Sequence, residues 1–186
     1  MSVSPSGRRE ALNVPGLVRR LARAEIGATF NQYAGSELRR RRLADYLERR
    51  RDAPFVLVGE AAGYRGARVS GIPFTSERQL TGAGPAEATA TIVRRTLAEL
   101  ELEDDVLLWN VVPTHPGTEA TNRRPTSAEV TDAMPFLLEI VAGRTPVAVG
   151  RVAHAVLGGS YVRHPSRGGA AAFREGLLLS IRRHAT

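Results

Sequence analysis

The hydrophobic positions of the chain fall into short apolar runs separated by longer stretches in which apolar residues recur at helical spacing. The short runs predict four strands, at 55–58, 106–112, 146–150 and 161–163. The helical spacing predicts six helices, at 14–28, 36–51, 85–103, 127–141, 151–158 and 169–183. Because strands and helices alternate, we predict an α/β fold, a three-layer α/β/α sandwich with a central, mostly four-stranded parallel sheet.

Length and composition indicate one domain. The chain has 186 residues, and 42% of them are hydrophobic, which is enough to build a single core. We predict a flexible N-terminal arm over 1–13 and one domain over 14–186. No stretch reaches the roughly 18 apolar residues of a membrane span, and the start lacks a signal-peptide pattern. We therefore expect a cytoplasmic protein with no membrane partner.

Two missing residue types exclude several kinds of chemistry. The chain has no cysteine, which excludes disulfides, a cysteine nucleophile, zinc–cysteine sites and iron–sulfur clusters. All 26 basic residues are arginine, which excludes a lysine Schiff base and a P-loop lysine. The four histidines are too scattered to share a metal ion, so we expect neither a metal site nor another cofactor.

The positive charge is concentrated near the N-terminus. The formal net charge is +7, and residues 1–52 hold 12 arginines against 6 acidic residues. Four of these arginines are consecutive, Arg39 to Arg42. The excess favours a polyanionic partner. For the four arginines two interpretations stay open, a solvated helix face or a contact with nucleic-acid phosphates.

The predicted topology locates the candidate chemistry. In parallel α/β sheets, ligands bind outside the carboxyl ends of the strands. The loops that follow three of the predicted strands, 59–80, 110–126 and 163–169, are rich in glycine, proline, histidine and asparagine. We therefore expect a site built from these three loops.

The three loops carry motifs that resemble the uracil-DNA glycosylase superfamily, in the branch whose first motif begins with Gly-Glu. The resemblance extends over about 55–182. The motifs are Gly59-Glu60-Ala61-Ala62-Gly63 with Ser70-Gly71-Ile72-Pro73-Phe74-Thr75-Ser76, then Trp109-Asn110 with Asn122-Arg123-Arg124-Pro125-Thr126, and His164-Pro165-Ser166.

The resemblance implies an enzyme of DNA repair. It would hydrolyse the N-glycosidic bond of a uracil nucleotide flipped out of DNA, leaving an abasic site. The absence of lysine fits a monofunctional glycosylase without a lyase step. We expect a monomer whose partner is uracil-containing DNA, single- or double-stranded.

The resemblance also implies roles for individual residues. His164 would donate a hydrogen bond to uracil O2, where negative charge grows as the bond breaks. Asn110 would read O4 and N3–H, since an amide offers one donor and one acceptor. Phe74 would stack on the base. Glu60 is the candidate for handling the attacking water, or it acts through its backbone amide.

The first motif departs from the family pattern at two positions. Ala61 replaces an aspartate that orients water, and Gly63 replaces a tyrosine that excludes thymine. Tyr64 is the neighbour we expect to exclude thymine instead. Gly59, Ala61 and Gly63 are also expected to line the base pocket. Four further residues are expected to contact DNA, and they are Ser76, Ser166, Arg167 and Gly168.

Three alternatives stay open at this point. The two departures in the first motif allow a glycosylase for another deaminated base, such as hypoxanthine or xanthine. Ala61 also allows a DNA-binding module that has kept the pocket and lost most of its catalysis. A flavodoxin-like nucleotide binder is the fourth interpretation, and DNA binding would then not depend on His164.

Overall fold

The structure, a computed structural model, describes residues 12–184. Within this range the chain forms four strands and eight helices. The strands are β1 (Phe55–Ala61), β2 (Val106–Val112), β3 (Thr145–Val149) and β4 (Ser160–Val162). The helices are α1 (Val14–Arg23), α2 (Glu37–Arg49), α3 (Ala67–Ser70), α4 (Glu77–Thr81), α5 (Ala88–Glu99), α6 (Ser127–Val141), α7 (Arg151–Leu157) and α8 (Ala170–Arg182).

The four strands form one parallel sheet in the order β2-β1-β3-β4. Helices flank it, with α6 packed on β2, α7 on β3 and α8 on β4. The predicted α/β class is therefore confirmed. Because all strands point the same way, the loops that follow β1, β2 and β4 can meet at one edge. In the pairing of β1 with β2, Gly59 lies opposite Asn110.

The elements differ from the predicted ones mainly in the loops. The segment 59–80 contains α3 and α4, which were not predicted because helices of four and five residues are too short to show apolar periodicity. Helix α1 ends at Arg23 rather than at 28, and the chain continues to an isolated antiparallel bridge between Phe30 and His115. That bridge fastens the segment after α1 to the loop after β2.

The predicted N-terminal arm lies largely outside the described residues, since 1–11 are not described. Leu12 packs into the core, and the side chain of Asn13 accepts a hydrogen bond from the Gly16 amide at 3.0 Å at the start of α1. No helix in the described part of the chain is long and apolar enough to cross a membrane.

The arginine cluster of α2 has mostly structural contacts. Arg39 donates to the Val69 carbonyl at 2.9 Å, and Arg42 binds Glu77 through two hydrogen bonds of 2.8 and 3.0 Å. Arg40 donates to two backbone carbonyls just before α2. Of the four, only Arg41 makes no hydrogen bond or ion pair with residues 12–184. The cluster therefore holds the loop after β1 against α2.

Strand β2 lies at one edge of the sheet, and Tyr46 of α2 supplies a hydrogen bond there. The Leu108 amide donates to the Tyr46 hydroxyl at 2.6 Å, and Tyr46 is 3% exposed. An edge strand carries backbone groups that no neighbouring strand satisfies. The tyrosine thus replaces a missing strand at this position.

We expect Tyr46→Phe to lower the free energy of unfolding by about 1–3 kcal/mol, because the Leu108 N–H loses its buried acceptor. Urea unfolding of the two proteins measures the difference. The matched control is Tyr161→Phe, since Tyr161 is 43% exposed and its hydroxyl makes no hydrogen bond with the described residues. Equal losses in the two variants would contradict the role of the Tyr46 hydroxyl.

Candidate active site

A cavity of about 300 Å³ opens at the carboxyl ends of β1 and β2. Its walls come from the first two loops, from the segment before α5, and from the loop after β4. The residues that line it are Glu60, Ala61, Ala62, Gly63, Ala67, Phe74, Glu87, Thr89, Asn110, Pro116, Asn122, Arg123, Arg124 and His164.

The floor of the cavity depends on the missing side chain at Gly59. A Cβ atom at this position would lie 2.9 Å from Asn110 Oδ1 and would collide with the Phe74 ring. Real Cβ atoms do not tolerate such contacts, so only glycine lets the amide and the ring approach the same point of β1. The sheet register and the glycine together place Phe74 beside Asn110.

The Phe74 ring is held by a strained and well-fastened turn. Phe74 has a φ of 49°, in the left-handed region that non-glycine residues rarely adopt, and it is 7% exposed. The buried Ser70 hydroxyl donates to the Thr75 carbonyl at 2.6 Å, and Arg94 donates to the Thr75 hydroxyl, also at 2.6 Å. Backbone strain of this kind persists only where the surroundings enforce it, often at ligand sites.

The Asn110 side chain lines the cavity at the end of β2. Asn110 is 4% exposed, at the carboxyl half of the fully buried strand β2. Its side chain makes no hydrogen bond with the described residues. Both its N–H and its carbonyl are therefore available to a ligand. A ligand that bonds them would remove the free-energy cost of burying an amide without hydrogen bonds.

His164 is oriented by its own loop. The Ser166 amide donates to His164 Nδ1 at 3.2 Å, and the Ser166 hydroxyl lies 2.8 Å from the same nitrogen. A nitrogen that accepts a backbone N–H carries no proton, so in neutral His164 the proton lies on Nε2. Burial lowers the pKa of His164 below its ordinary value. The site therefore presents a neutral imidazole with one N–H donor.

Two carboxyl groups line the cavity. Burial raises the pKa of Glu60, and the guanidinium of Arg124 opposes part of that shift. Burial also raises the pKa of Glu87. Glu87 was not predicted as a site residue, because it precedes α5 and belongs to none of the three loops.

Buried polar contacts fasten the loops around the cavity to one another. The Tyr64 amide donates to Asn122 Oδ1 at 2.9 Å, which joins the loop after β1 to the loop after β2. His115 is fully buried, with its ring nitrogens 2.7 and 2.8 Å from the carbonyls of Ala62 and Thr118. It braces the two loops and does not line the cavity.

An ion pair anchors the far side of the second loop. Arg123 binds the buried carboxylate of Glu129 through hydrogen bonds of 2.8 and 2.5 Å. The Thr126 amide donates to the same carboxylate at 2.8 Å. These contacts, with Arg123 the largest, lower the pKa of Glu129 to about 2. The anchor fixes the direction in which Arg123 and Arg124 approach the cavity.

The structure brings most of the predicted base-site residues together. Six of them line the cavity, and Gly59 supports it from beneath; the six are Glu60, Ala61, Gly63, Phe74, Asn110 and His164. Tyr64 does not line it, since its backbone is bound to Asn122 and its ring lies under the Arg65 guanidinium. The side chain above Gly63 is that of Glu87.

One predicted DNA contact is wrong. Ser76 is fully buried, and its hydroxyl donates to Gln79 Oε1 at 2.9 Å at the start of α4. It cannot reach a ligand from that position. Ser166, Arg167 and Gly168 are exposed beside the cavity, where DNA could reach them.

A shallow groove adjoins the cavity and shares His164 with it. The groove is lined by Arg151, Arg163 and Arg167, and by Tyr161, which is 43% exposed. The three arginines are exposed and make no hydrogen bond or ion pair with residues 12–184. Their charge is therefore available to an anionic partner.

Of the comparisons with known proteins, one shows the family and one shows the fold. A family model described as the uracil DNA glycosylase superfamily matches residues 47–180, which includes the whole cavity. The crystal structure of wild-type SMUG2 from Pedobacter heparinus superposes with a TM-score of 0.67 at 11% identity, covering 91% of this chain and 97% of that one. At this identity the likeness concerns the fold. No curated protein matches the chain.

We expect His164 to titrate below the ordinary histidine value of about 6.5, with its neutral form protonated on Nε2. The folded state would then bind fewer protons than the unfolded state, so stability falls as the pH drops below 6.5. NMR titration of the folded protein measures the midpoint, and the same histidine in urea gives the reference. A midpoint at or above the unfolded value would contradict the burial of the imidazole.

Proposed function

Since the chain belongs to the uracil DNA glycosylase superfamily, we propose that it hydrolyses the N-glycosidic bond of uracil flipped out of DNA. The products are an abasic site and free uracil. The observation that carries this proposal is the convergence around one cavity of an aromatic ring, a neutral imidazole and an amide that makes no hydrogen bond with the described part of the chain.

The first two groups suit a flat base with a lactam edge. The Phe74 ring offers a stacking surface, worth about 1–3 kcal/mol per base. The Asn110 amide donates to O4 and accepts from N3–H of uracil. Cytosine presents the reverse pattern at these two positions, which would leave the buried amide unpaired.

The third group serves the departing base. As the bond from the sugar C1′ to N1 breaks, its electron pair leaves with the base, and the negative charge spreads to the carbonyl oxygens. The Nε2–H of His164 donates to O2 and stabilises that charge. Because the imidazole is already neutral and held by Ser166, it needs no reorganisation as the charge develops.

Glu60 is suited to the positive sugar. Its carboxyl lines the cavity, and the nearby Arg124 favours its ionised form. A carboxylate here stabilises the developing cation at C1′ and orients the water that attacks it. The water oxygen bonds to C1′, and its proton passes to the carboxylate or to solvent.

The exposed arginines of the groove suit the DNA strand on either side of the flipped nucleotide. Arg151, Arg163 and Arg167 make no hydrogen bond or ion pair with the described residues, and they line the groove next to the cavity that would hold the base. Guanidinium groups pair with phosphates through two hydrogen bonds. Such contacts position the strand without reading its sequence.

Hypoxanthine is the second candidate base. It carries the same lactam edge as uracil, with N1–H and O6 in place of N3–H and O4, so Asn110 does not discriminate between the two. The cavity measures about 300 Å³, and Gly63 contributes no side chain to its wall. A panel of oligonucleotides with uracil, hypoxanthine, xanthine or thymine, each single- and double-stranded, separates these substrates.

We expect His164→Ala to slow single-turnover excision of uracil by about 10²–10³-fold, the usual loss of one oxyanion donor. Binding to uracil-containing DNA should change little, because the donor acts on charge present only in the transition state. Alkaline strand scission after incubation measures the rate. His184→Ala is the matched control, since His184 is exposed and lies outside the cavity.

One result would overturn the role of His164, and another would overturn the enzymatic function. Unchanged excision by His164→Ala would remove the imidazole from the reaction. Wild-type protein that binds uracil-containing DNA but cleaves no faster than background would be the damage-binding module instead of an enzyme.

We expect Arg151→Ala and Arg163→Ala each to weaken binding equally for DNA with and without uracil. Each lost phosphate contact should reduce the slope of log K against log salt by about 1. Fluorescence anisotropy at several salt concentrations gives the slope. Arg19→Ala is the control, because Arg19 is exposed on α1 and makes no hydrogen bond or ion pair within 12–184. The same change of slope in that variant would show that the effect depends on net charge alone.

A further inference from the structure

Glu87 occupies an unusual position beside the first loop. It is the residue just before α5, half-buried, and its carboxyl group lies directly on the backbone of Gly63 and Gly66. A Cβ atom at either glycine would collide with a carboxylate oxygen of Glu87. The two glycines therefore form a cradle for this carboxyl at the wall of the cavity.

Nothing in the described part of the chain neutralises the carboxyl. It makes no hydrogen bond and no ion pair with residues 12–184. The charged and titratable groups that share the cavity with it are Glu60, Arg123, Arg124 and His164.

The two arginines that line the cavity interact with other carboxyl groups. Arg123 binds Glu129, and the charge of Arg124 acts on Glu60. Burial of a carboxyl without a cation or a donor favours its neutral form. The two cavity carboxyls thus have different surroundings, and such differences assign opposite roles to paired acids.

We propose that Glu87 is a second base-contacting residue that acts as a neutral carboxylic acid, donating its O–H to a carbonyl oxygen of the flipped base. This role rests on the proposed function. Its geometric basis is the position of the Glu87 carboxyl, which lies on Gly63 and Gly66 at the wall of the cavity. The carbonyl oxygens take up negative charge as the base departs, so the donor strengthens along the reaction.

The proposal predicts a particular dependence on pH. As the pH rises, Glu87 loses its proton, the donor disappears and a negative charge faces a base that is becoming negative. Excision should then slow on the alkaline side, and burial, which raises the pKa of Glu87, brings this limb toward neutral pH. Glu60 acts as the anion in this scheme, because the Arg124 guanidinium opposes the effect of burial on its pKa.

The test compares single-turnover excision of uracil from DNA across pH for the wild type, Glu87→Gln and Glu87→Ala. The glutamine keeps an N–H donor and does not titrate, so we expect a rate within a few-fold of the wild type and no falling alkaline limb. The alanine has no donor, and we expect a loss of about 10²-fold. Glu175→Gln on the exposed face of α8 is the control, and thermal melts confirm that each variant folds.

A second variant tests the same contact from the opposite side. Gly63→Ala places a methyl group where the Glu87 carboxyl lies, so it should displace the carboxyl and slow excision. In the double variant with Glu87→Ala, the methyl has nothing left to displace. We expect the double variant to be no slower than Glu87→Ala alone, whereas additive losses would contradict a shared mechanism.

The outcomes separate the two proposals. If the wild type excises no base from the panel, the proposed function falls, and the role of Glu87 falls with it. If the wild type excises uracil and Glu87→Ala is equally fast, only the role of Glu87 is overturned. If Glu87→Gln is as slow as Glu87→Ala and the wild-type rate rises with pH, the carboxylate acts as a base, and the neutral-donor proposal is wrong.

Discussion

The parallel pairing of β1 with β2 is the constraint on which the site depends. It places Asn110 opposite Gly59, so the amide and the bare backbone share one end of the sheet. Because Gly59 has no side chain, the Phe74 ring can reach the same point. A slip of one residue in that pairing would turn the amide to the other face of the sheet, and the ring would then lie beside an apolar side chain.

The loops around the cavity are held by buried polar contacts instead of by regular structure. His115 bridges two backbone carbonyls, Asn122 receives the Tyr64 amide, and Arg123 is fixed by Glu129. Each contact joins segments that are distant in sequence. Such a frame limits the movement of the groups that face the ligand, which is what electrostatic stabilisation of a transition state requires.

The sequence predicted the sheet and the cavity floor well, for identifiable reasons. Apolar runs bounded by glycine and proline are local signals, and they located all four strands. The motifs around Asn110 and His164 are also local, so the resemblance to the glycosylase superfamily could be recognised, and the family model confirms it.

The features that sequence reasoning missed depend on contacts between distant residues. Glu87 reaches the cavity only because α5 starts above Gly63 and Gly66, which no local pattern indicates. Ser76 is a predicted DNA contact, yet the start of α4 buries it. For the four arginines of α2 the sequence leaves a solvated helix face or a phosphate contact open, whereas three of them bind the protein itself.

At Phe74, which has a left-handed backbone conformation, the stability of the fold and the binding of a ligand favour different residues. Glycine and asparagine adopt this conformation with the least strain, but neither carries a ring. Any replacement that relaxes the turn therefore removes the stacking surface, and any replacement that keeps a ring keeps the strain. Selection for higher stability would favour glycine or asparagine at position 74, whereas selection for activity would favour an aromatic residue.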